Sequence, residues 1–419
     1  MKIYDIQNTN EKLYYEKLDN NLEVFIVPKS NVKEYYISFV TKYGGVNNTF
    51  YSIKQEKKID VPTGIAHFLE HKMFEQEDKI DPFSFYSKTG TYCNAYTSFY
   101  ETNYIVSGNS NIKKNLNFLL DYVQKPYFTK ENVEKEKGII EQELLMYEDI
   151  PEMVVFEKNM YNIFEKDPLK YSIGGRTEDI KTITKEMLDE CYFNFYNPNN
   201  MFVVITGKVD PIKTIEIIKE NQNKKHFENI EIKKLDVIEP NKVIKDHEEI
   251  KMNLEIPIFS IGFKVPLKNK LSQKNRLYYS LLFNSLFDDT SLFVEKLKEE
   301  KLIATDLDFS YIDGNQHLVL IIETKTNNYE KLKQEIINYI SNINIDEEVF
   351  DRKKKVYLSN YVTTFDSVKA INKNIVNSII RHNNFNTDFY ELIKSTEYKD
   401  FEKFAKSVNF ANFSSVIVN

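Results

Sequence analysis

The chain has 419 residues, 42 % of them hydrophobic, with 30 Phe and 28 Tyr but no Trp, enough apolar bulk for a sizeable core and for two or three domains. Its formal charge is −7, and 63 acidic residues are interspersed with 56 basic ones, which excludes a general grip on nucleic acid and reads as a solvated surface. The two cysteines, Cys93 and Cys191, lie far apart, so no disulfide framework is expected and a reducing, cytoplasmic compartment is. The N-terminus lacks the apolar run of a signal peptide, and no stretch approaches the roughly 18 apolar residues of a membrane span.

LEVFIVP (22–28) and YYISFVTKYGG (35–45) predict two strands, rich in β-branched and aromatic residues and punctuated by turn formers. A polar loop is expected over 47–60. VPTGIAHFLEHKMF (61–74) predicts a helix, with Pro62 and Thr63 at its start and Ile65, Phe68, Leu69 and Phe74 on its apolar side. A short helix at 82–88 precedes TYCNAYTSFYETNYIVSG (91–108), two strands with a turn near Phe99–Glu101. Helices are expected at 111–124, 130–147, 152–165 and 183–196, a strand at 201–210 and a helix at 211–221.

From 222 to 248 the periodicity dissolves into charged residues, as an interdomain linker would. The theme then restarts, with a strand at 256–266, helices at 273–288 and 291–300, a strand at 316–326, helices at 329–341 and from Glu347 onward, and a closing strand at 414–419. The restart is a diverged internal repeat. ENVEKEKGIIEQEL (131–144) lines up with EVFDRKKKVYLSNY (348–361), and HFLEHKMF (67–74) falls near SLLFNSLF (280–287). Strands followed by helices in each half predict an α+β fold of two structurally similar domains, 1–221 and 249–419, joined by the 222–248 linker. The second half has no histidine or glutamate at the matching positions.

The chemistry is concentrated in HFLEH, residues 67–71. Positions four apart on a helix lie one above the other on the same face, so His67 and His71 can reach one metal ion. Glu70 adjoins that face and can act on a water held there. This inverted order of the H-E-x-x-H motif is the inverzincin signature. A catalytic zinc keeps three protein ligands and one open position, so a third must come from elsewhere. The 130–147 helix offers Glu131, Glu134, Glu136, Glu141 and Glu143 around an apolar face of Val133, Ile140, Leu144 and Tyr147. Glu136 and Glu143 lie beside that face, two turns apart, and an inward acid needs a partner; Glu143 or Glu136 is the preferred third ligand. Glu134 and Glu141 are less well placed.

Other residues take plainer readings. Cys93 is a structural cysteine, His226, His247, His317 and His382 are surface or core histidines, and the run Arg352–Lys355 is a solvated stretch of helix. Gly44 and Gly45 make a turn.

GIAHFLEHKMF, TYCNAYTS, EKEKGIIEQEL and FYNPNNMFVVITGKVD together resemble the first half of the pitrilysin/insulysin and mitochondrial-processing-peptidase family, over nearly the whole chain. The closest likeness is to its single-unit YmfH-type bacterial members. The resemblance implies antiparallel sheets packed with helices in a half-clamshell, one Zn2+ per chain on His67, His71 and Glu143, Glu70 as general base and Glu136 beside the metal, orienting a ligand. It implies zinc-dependent hydrolysis of unfolded peptides. The substrate would add as a strand beside Asn94, Ala95 and Tyr96.

The family's active second halves carry an Arg and, seven residues on, a Tyr that hold the scissile peptide. Lys298 and Thr305 stand at those positions here, and Lys does not reproduce the planar fork of Arg. The expected partner is therefore a homologous subunit that supplies the Arg/Tyr pair in a heterodimer, ahead of a homodimer. The competing expectation is a non-catalytic peptide-binding or assembly subunit.

Overall fold

The computed structural model describes residues 1–233, 235 and 237–419. Lys234 and Asp236, in the expected linker, lie outside the described residues. The strands are β1 (Lys2–Asp5), β2 (Lys12–Lys17), β3 (Glu23–Pro28), β4 (Tyr35–Thr41), β5 (Thr49–Ser52), β6 (Lys57–Asp60), β7 (Tyr92–Thr97), β8 (Thr102–Gly108), β9 (Met201–Gly207), β10 (His247–Ile250), β11 (Ile258–Pro266), β12 (Asp308–Asp313), β13 (His317–Lys325) and β14 (Phe413–Val418). The helices of the first half are α1 (Ile65–Met73), α2 (Pro82–Ser87), α3 (Ile112–Val123), α4 (Lys130–Glu148), α5 (Pro151–Ile163), α6 (Thr177–Ile180), α7 (Lys185–Phe195) and α8 (Pro211–Gln222). Those of the second are α9 (Gln273–Phe287), α10 (Leu292–Glu299), α11 (Tyr329–Ser341), α12 (Glu347–Thr364), α13 (Val368–His382), α14 (Phe389–Lys394) and α15 (Tyr398–Ser407).

The first sheet has the order β1-β2-β3-β9-β4-β8-β7 and the second β10-β14-β11-β13-β12. The shared part has one pattern. β3 runs parallel to β9, which is antiparallel to β4, then β8, then β7. Likewise β10 runs parallel to β14, followed by antiparallel β11, β13 and β12. The repeat read from the sequence is thus a repeat of topology. The first sheet adds β1 and β2, and residues 47–60, expected as loop, contain the β5–β6 hairpin. β5 (TFYS) alternates over only four residues, too short a run to read as a strand, and β6 (KKID) is polar and largely exposed.

The compact units do not coincide with the two halves of the chain. One consists of Met1–Leu144, Ser172–Leu235 and Tyr361–Tyr390; the other of Leu145–Tyr171, Asp236–Asn360 and Glu391–Asn419. This differs from the contiguous division at 222–248, and the cause is an exchanged helix on each side. In the first unit β4 and β9 are buried along their whole length, as strands covered on both faces are. α3 covers β4 and β8 through Leu116, Leu119, Leu120 and Val123, at helical spacing. α13, far along the chain, packs on β4 and β9. Its buried Asn372 accepts from Ser38 Oγ at 2.6 Å and donates to the carbonyls of Val204 and Tyr36 at 3.0 and 3.2 Å.

In the second unit α5 takes the equivalent place against β11 and β14, with Val155 buried among Ile258, Val416 and Val418. Asn159 Nδ2 donates to Ser260 Oγ at 2.8 Å. The same unit encloses an ion pair whose side chains are both 0 % exposed, Lys264 Nζ to Glu239 Oε1 at 2.6 Å. Glu239 also accepts the backbone N–H groups of Glu165, Lys166 and Asp167 at 2.7–2.9 Å. A residue of the charged linker is therefore a buried anchor. Arg352 and Lys355 are exposed as expected, but Lys353 is buried on Asp288 and Thr290.

Candidate metal centre

α1 carries HFLEH. Ile65, Phe68, Leu69 and Met73 are at most 1 % exposed and press the helix against β7, β8 and α7. The helix starts at a different residue from the Pro62–Thr63 expected. Its N-cap is Gly64 at φ +79°, a left-handed conformation that L side chains rarely adopt. A Cβ there would overlap the carbonyl of Gly174. Thr63 instead holds the loop 172–180: its hydroxyl donates to Asp179 Oδ2 at 2.5 Å and accepts the Arg176 N–H at 3.2 Å. Gly175, at φ +84°, backs onto Thr63 and Gly64.

α4 brings two acids to the exposed edge of α1. Glu143 Oε1 stands 3.9 Å from His67 Nε2, and its Oε2 stands 3.5 Å from His71 Nε2. One ligand atom from each of His67, His71 and Glu143 lies within 4.8 Å of the others, the one such cluster among the described residues. Two ligands about 2.0–2.1 Å from a tetrahedral zinc stand about 3.3–3.4 Å apart. The spacings here are near that and longer than a direct hydrogen bond, so the donor set fits zinc. No ligand or ion is part of the structure.

Glu136 faces the far side of the same imidazole. Its Oε1 accepts from His71 Nδ1 at 3.0 Å, which leaves Nε2 toward Glu143 and fixes the ring. Lys72, wholly buried, lies behind: its Nζ is 3.8 Å from Glu136 Oε2, donates to the Asn132 carbonyl at 3.2 Å and pairs with Glu75. Of the acids that sequence spacing set aside, Glu134 pairs with Lys137 at 2.6 Å and Glu141 with Lys181 at 2.8 Å.

The protonation states follow from this surrounding. Burial, then the neighbouring His71, pushes His67 down to about 4, against the pull of Glu143 and Glu136. His67 is thus neutral, with a lone pair for a metal, and its Nδ1 is buried without a hydrogen-bond partner. Burial also disfavours the charged form of His71, but the Glu136 hydrogen bond and the carboxylates of Glu70, Glu136 and Glu143 outweigh it and raise the imidazole. Burial raises Glu70, opposed by a hydrogen bond from Thr97 and by His71. Glu136 is held below the carboxylate range because the His71 bond and nearby cations overcome its burial.

Glu70 is 8 % exposed. Thr97 Oγ1 donates to its Oε2 at 2.8 Å. β7, which carries Thr97, is an edge of the first sheet, so one side of Tyr92–Thr97 is open to another strand. Asn94 lies exposed there, hydrogen-bonded to Tyr92 Oη at 2.9 Å, and Ala95 and Tyr96 are half-buried.

The structure thus gathers Glu70, His67, His71, Glu136 and Glu143, with Asn94, Ala95 and Tyr96 on the strand behind α1. Lys298 and Thr305 belong to the second unit. Lys298 Nζ pairs with Asp289 at 2.9 Å and Asp306 at 3.1 Å, and Thr305 Oγ1 accepts the Lys325 N–H at 3.2 Å. Sequence reasoning missed Thr97, Lys72 and the Gly174–Gly175 turn. The glycine pair was the available signal, since adjacent glycines mark close backbone approach; Thr97 and Lys72 carried none. Cys93 and Cys191 are buried and free. Among the described residues no helix is long and apolar enough to cross a membrane.

Residues 56–177 match the profile of the insulinase family, peptidase family M16, and residues 182–357 that of the peptidase M16 inactive domain. The chain is 41 % identical over 315 residues to the uncharacterized zinc protease YmfH of Bacillus subtilis, covering 74 % of this chain and 73 % of that one. It is 28 % identical over 165 residues to the probable mitochondrial-processing peptidase subunit beta of Arabidopsis thaliana, covering 38 % of this chain and 31 % of the other. Among solved structures, an M16-like peptidase from Alicyclobacillus acidocaldarius superposes with a TM-score of 0.93 at 28 % identity over 99 % of both chains. The periplasmic protease PqqL of Escherichia coli gives a TM-score of 0.73 at 18 % identity, with 99 % of this chain matched to 48 % of that one.

Proposed function

The chain belongs to the M16 (insulinase) family of peptidases, and on that footing we propose that it is a zinc-dependent endopeptidase of unfolded peptides, acting with a homologous partner subunit. The observation that carries the reading is the convergence of His67, His71 and Glu143 beside a buried carboxylate, Glu70.

His67, His71 and Glu143 would hold one Zn2+, with Glu136 setting the His71 ring. A zinc ion bound there supplies a Lewis acid that lowers the pKa of water and polarises a carbonyl. Glu70 takes a proton from the attacking water and delivers it to the leaving amine. Its burial favours that task, because burial raises the carboxyl above its ordinary value and so makes the carboxylate a stronger base. Edge strand β7 receives the substrate backbone as an added strand, with Asn94, Ala95 and Tyr96 lining it. An extended, unfolded segment fits such an edge; a folded substrate keeps its backbone groups already paired.

The partner is supported by Lys298 and Thr305, which stand where the family's peptide-holding Arg and Tyr belong, and by the match of 182–357 to the inactive-domain profile. It is also supported by relatives: one is named as a subunit, and in PqqL a chain about twice this length carries the matching unit as one part. The two free, buried cysteines fit a reducing, cytoplasmic setting.

The test is purification from the native host, with zinc content and peptide cleavage measured on the chain alone and with whatever accompanies it, for wild type and Glu70→Gln. Zinc near one per chain and cleavage abolished by Glu70→Gln support the reading. A chain that binds peptides without zinc or turnover would instead be a peptide-binding subunit. Full activity from the isolated chain would overturn the partner requirement.

A further inference from the structure

We propose that Thr97 is the positioning residue of the base: its hydroxyl fixes the rotamer of Glu70, and the β7–β8 turn fixes the hydroxyl. The proposal rests on the reading of Glu70 as general base. It also accounts for a contact that reading does not use. Glu70 is almost fully buried, and Thr97 Oγ1 donates to its Oε2 at 2.8 Å. A buried carboxylate oxygen without a donor is costly. Without Thr97 the carboxylate would swing toward water and lose the orientation that proton transfer demands.

The donor is held on rigid structure. Thr97 is the last residue of β7 and pairs across the ladder with Thr102, the first of β8. Thr102 gives its own proton to the Tyr43 carbonyl at 2.9 Å, so Thr97 keeps its single proton for Glu70, with the two hydroxyl oxygens 3.3 Å apart. The turn between them is closed by Ser98 N–H to the Glu101 carbonyl at 2.8 Å. It is clamped from outside by Gly45 N–H to the Ser98 carbonyl at 2.9 Å and Val46 N–H to the Phe99 carbonyl at 3.0 Å. Gly44 is a glycine because a Cβ would come within 2.5 Å of the Ser98 carbonyl oxygen. Gly44 therefore does more than turn the chain: it lets the backbone lie close enough to pin the strand end that aims the base. Such backing is what holds a reacting group within the narrow geometry that catalysis needs.

Thr97→Val keeps the shape and the strand preference and removes the hydroxyl; Thr97→Ser keeps the hydroxyl. Loss of a hydrogen bond to a charged group predicts a kcat about tenfold or more below wild type for Thr97→Val, with KM and zinc affinity unmoved and Thr97→Ser restoring kcat. Crystal structures provide a readout independent of activity: the Glu70 carboxylate turns away in the Val variant and returns in the Ser variant. If Val does not fold, Thr97→Ala at this half-buried position takes its place. An unmoved Glu70 carboxylate in the Val or Ala variant, or a loss of zinc affinity and thermal stability that Ser fails to restore, overturns the proposal. No cleavage by the wild-type chain even together with the proteins that copurify with it would instead overturn the peptidase reading, and the structural comparison still decides the role of Thr97.

Discussion

Glu136→Gln isolates what the carboxylate behind His71 contributes to metal binding. The amide keeps an oxygen that accepts the Nδ1 proton across the 3.0 Å gap but removes the charge. A hydrogen bond to a charged partner contributes about 1.5–3 kcal/mol and a neutral one about 0.5–1.5. The swap forfeits about 1–1.5 kcal/mol, close to tenfold in zinc affinity at about 1.36 kcal/mol per decade. Glu136→Ala also frees the ring to turn, and about 10–100-fold is expected when such an orienting partner is lost. The loss has a pH signature. Glu136 raises the His71 imidazole in the metal-free protein, so the metal must displace a proton held tighter in wild type than in the variant. That competition is absent above the His71 pKa and grows below it. The Gln penalty is therefore full at a pH well above the His71 pKa and shrinks at a pH below it. Competition between metal-free protein and a chromophoric chelator at both pH values measures it. Equal affinities at the higher pH, or a penalty that grows on acidification, would refute the assignment of Glu136.

Glu70→Gln lowers kcat by about 10²–10⁴-fold, the range for a general base, with zinc content unchanged; a purified variant that still turns over peptide at the wild-type rate removes Glu70 from the mechanism. Gly64→Ala forces a side chain into the φ +79° conformation against the Gly174 carbonyl. It should cost about 1–3 kcal/mol, seen in thermal unfolding together with weakened zinc binding. Glu239→Ala strands Lys264 in a dry interior and costs about 3–5 kcal/mol by urea titration. Burial pushes the Glu239 carboxyl up, but Lys264 and three backbone N–H groups hold it down on balance. Its stabilisation is therefore present above the ordinary carboxylate pKa and lost as pH falls through the lower folded value, and Glu239→Gln should flatten the acid limb of stability against pH.

The candidate metal centre was legible because its parts obey helical periodicity. His67 and His71 are one turn apart, and Glu136 and Glu143 are two turns apart beside an apolar stripe. The distances separate the two acids that spacing left level: Glu143 stands beside both imidazoles and Glu136 only beside the far side of one. The repeat was legible for the same reason, since its strands and helices recur in order. Contacts between elements distant in sequence were not. Thr97 is an ordinary strand residue until α1 packs on it, Lys72 looks like a surface lysine until α4 covers it, and Glu239 sits in a charged run that reads as solvated. The compact units differ from the contiguous division for a related reason. Amphipathic helices announce that they will be buried but not against which sheet, and α5 and α13 each cover the sheet of the other half.

That exchange has a consequence for how the chain is made. β4 and β9 leave the ribosome well before α13, whose Asn372 and Val368 complete their covering. At roughly 5–20 residues per second, the apolar face of the first sheet waits on the order of ten seconds for its last helix, although HFLEH and both of its acids have already emerged. A ribosome stalled anywhere in that interval would display His67, His71 and Glu143 on an unfinished sheet, a nascent state open to chaperones before its last helix arrives.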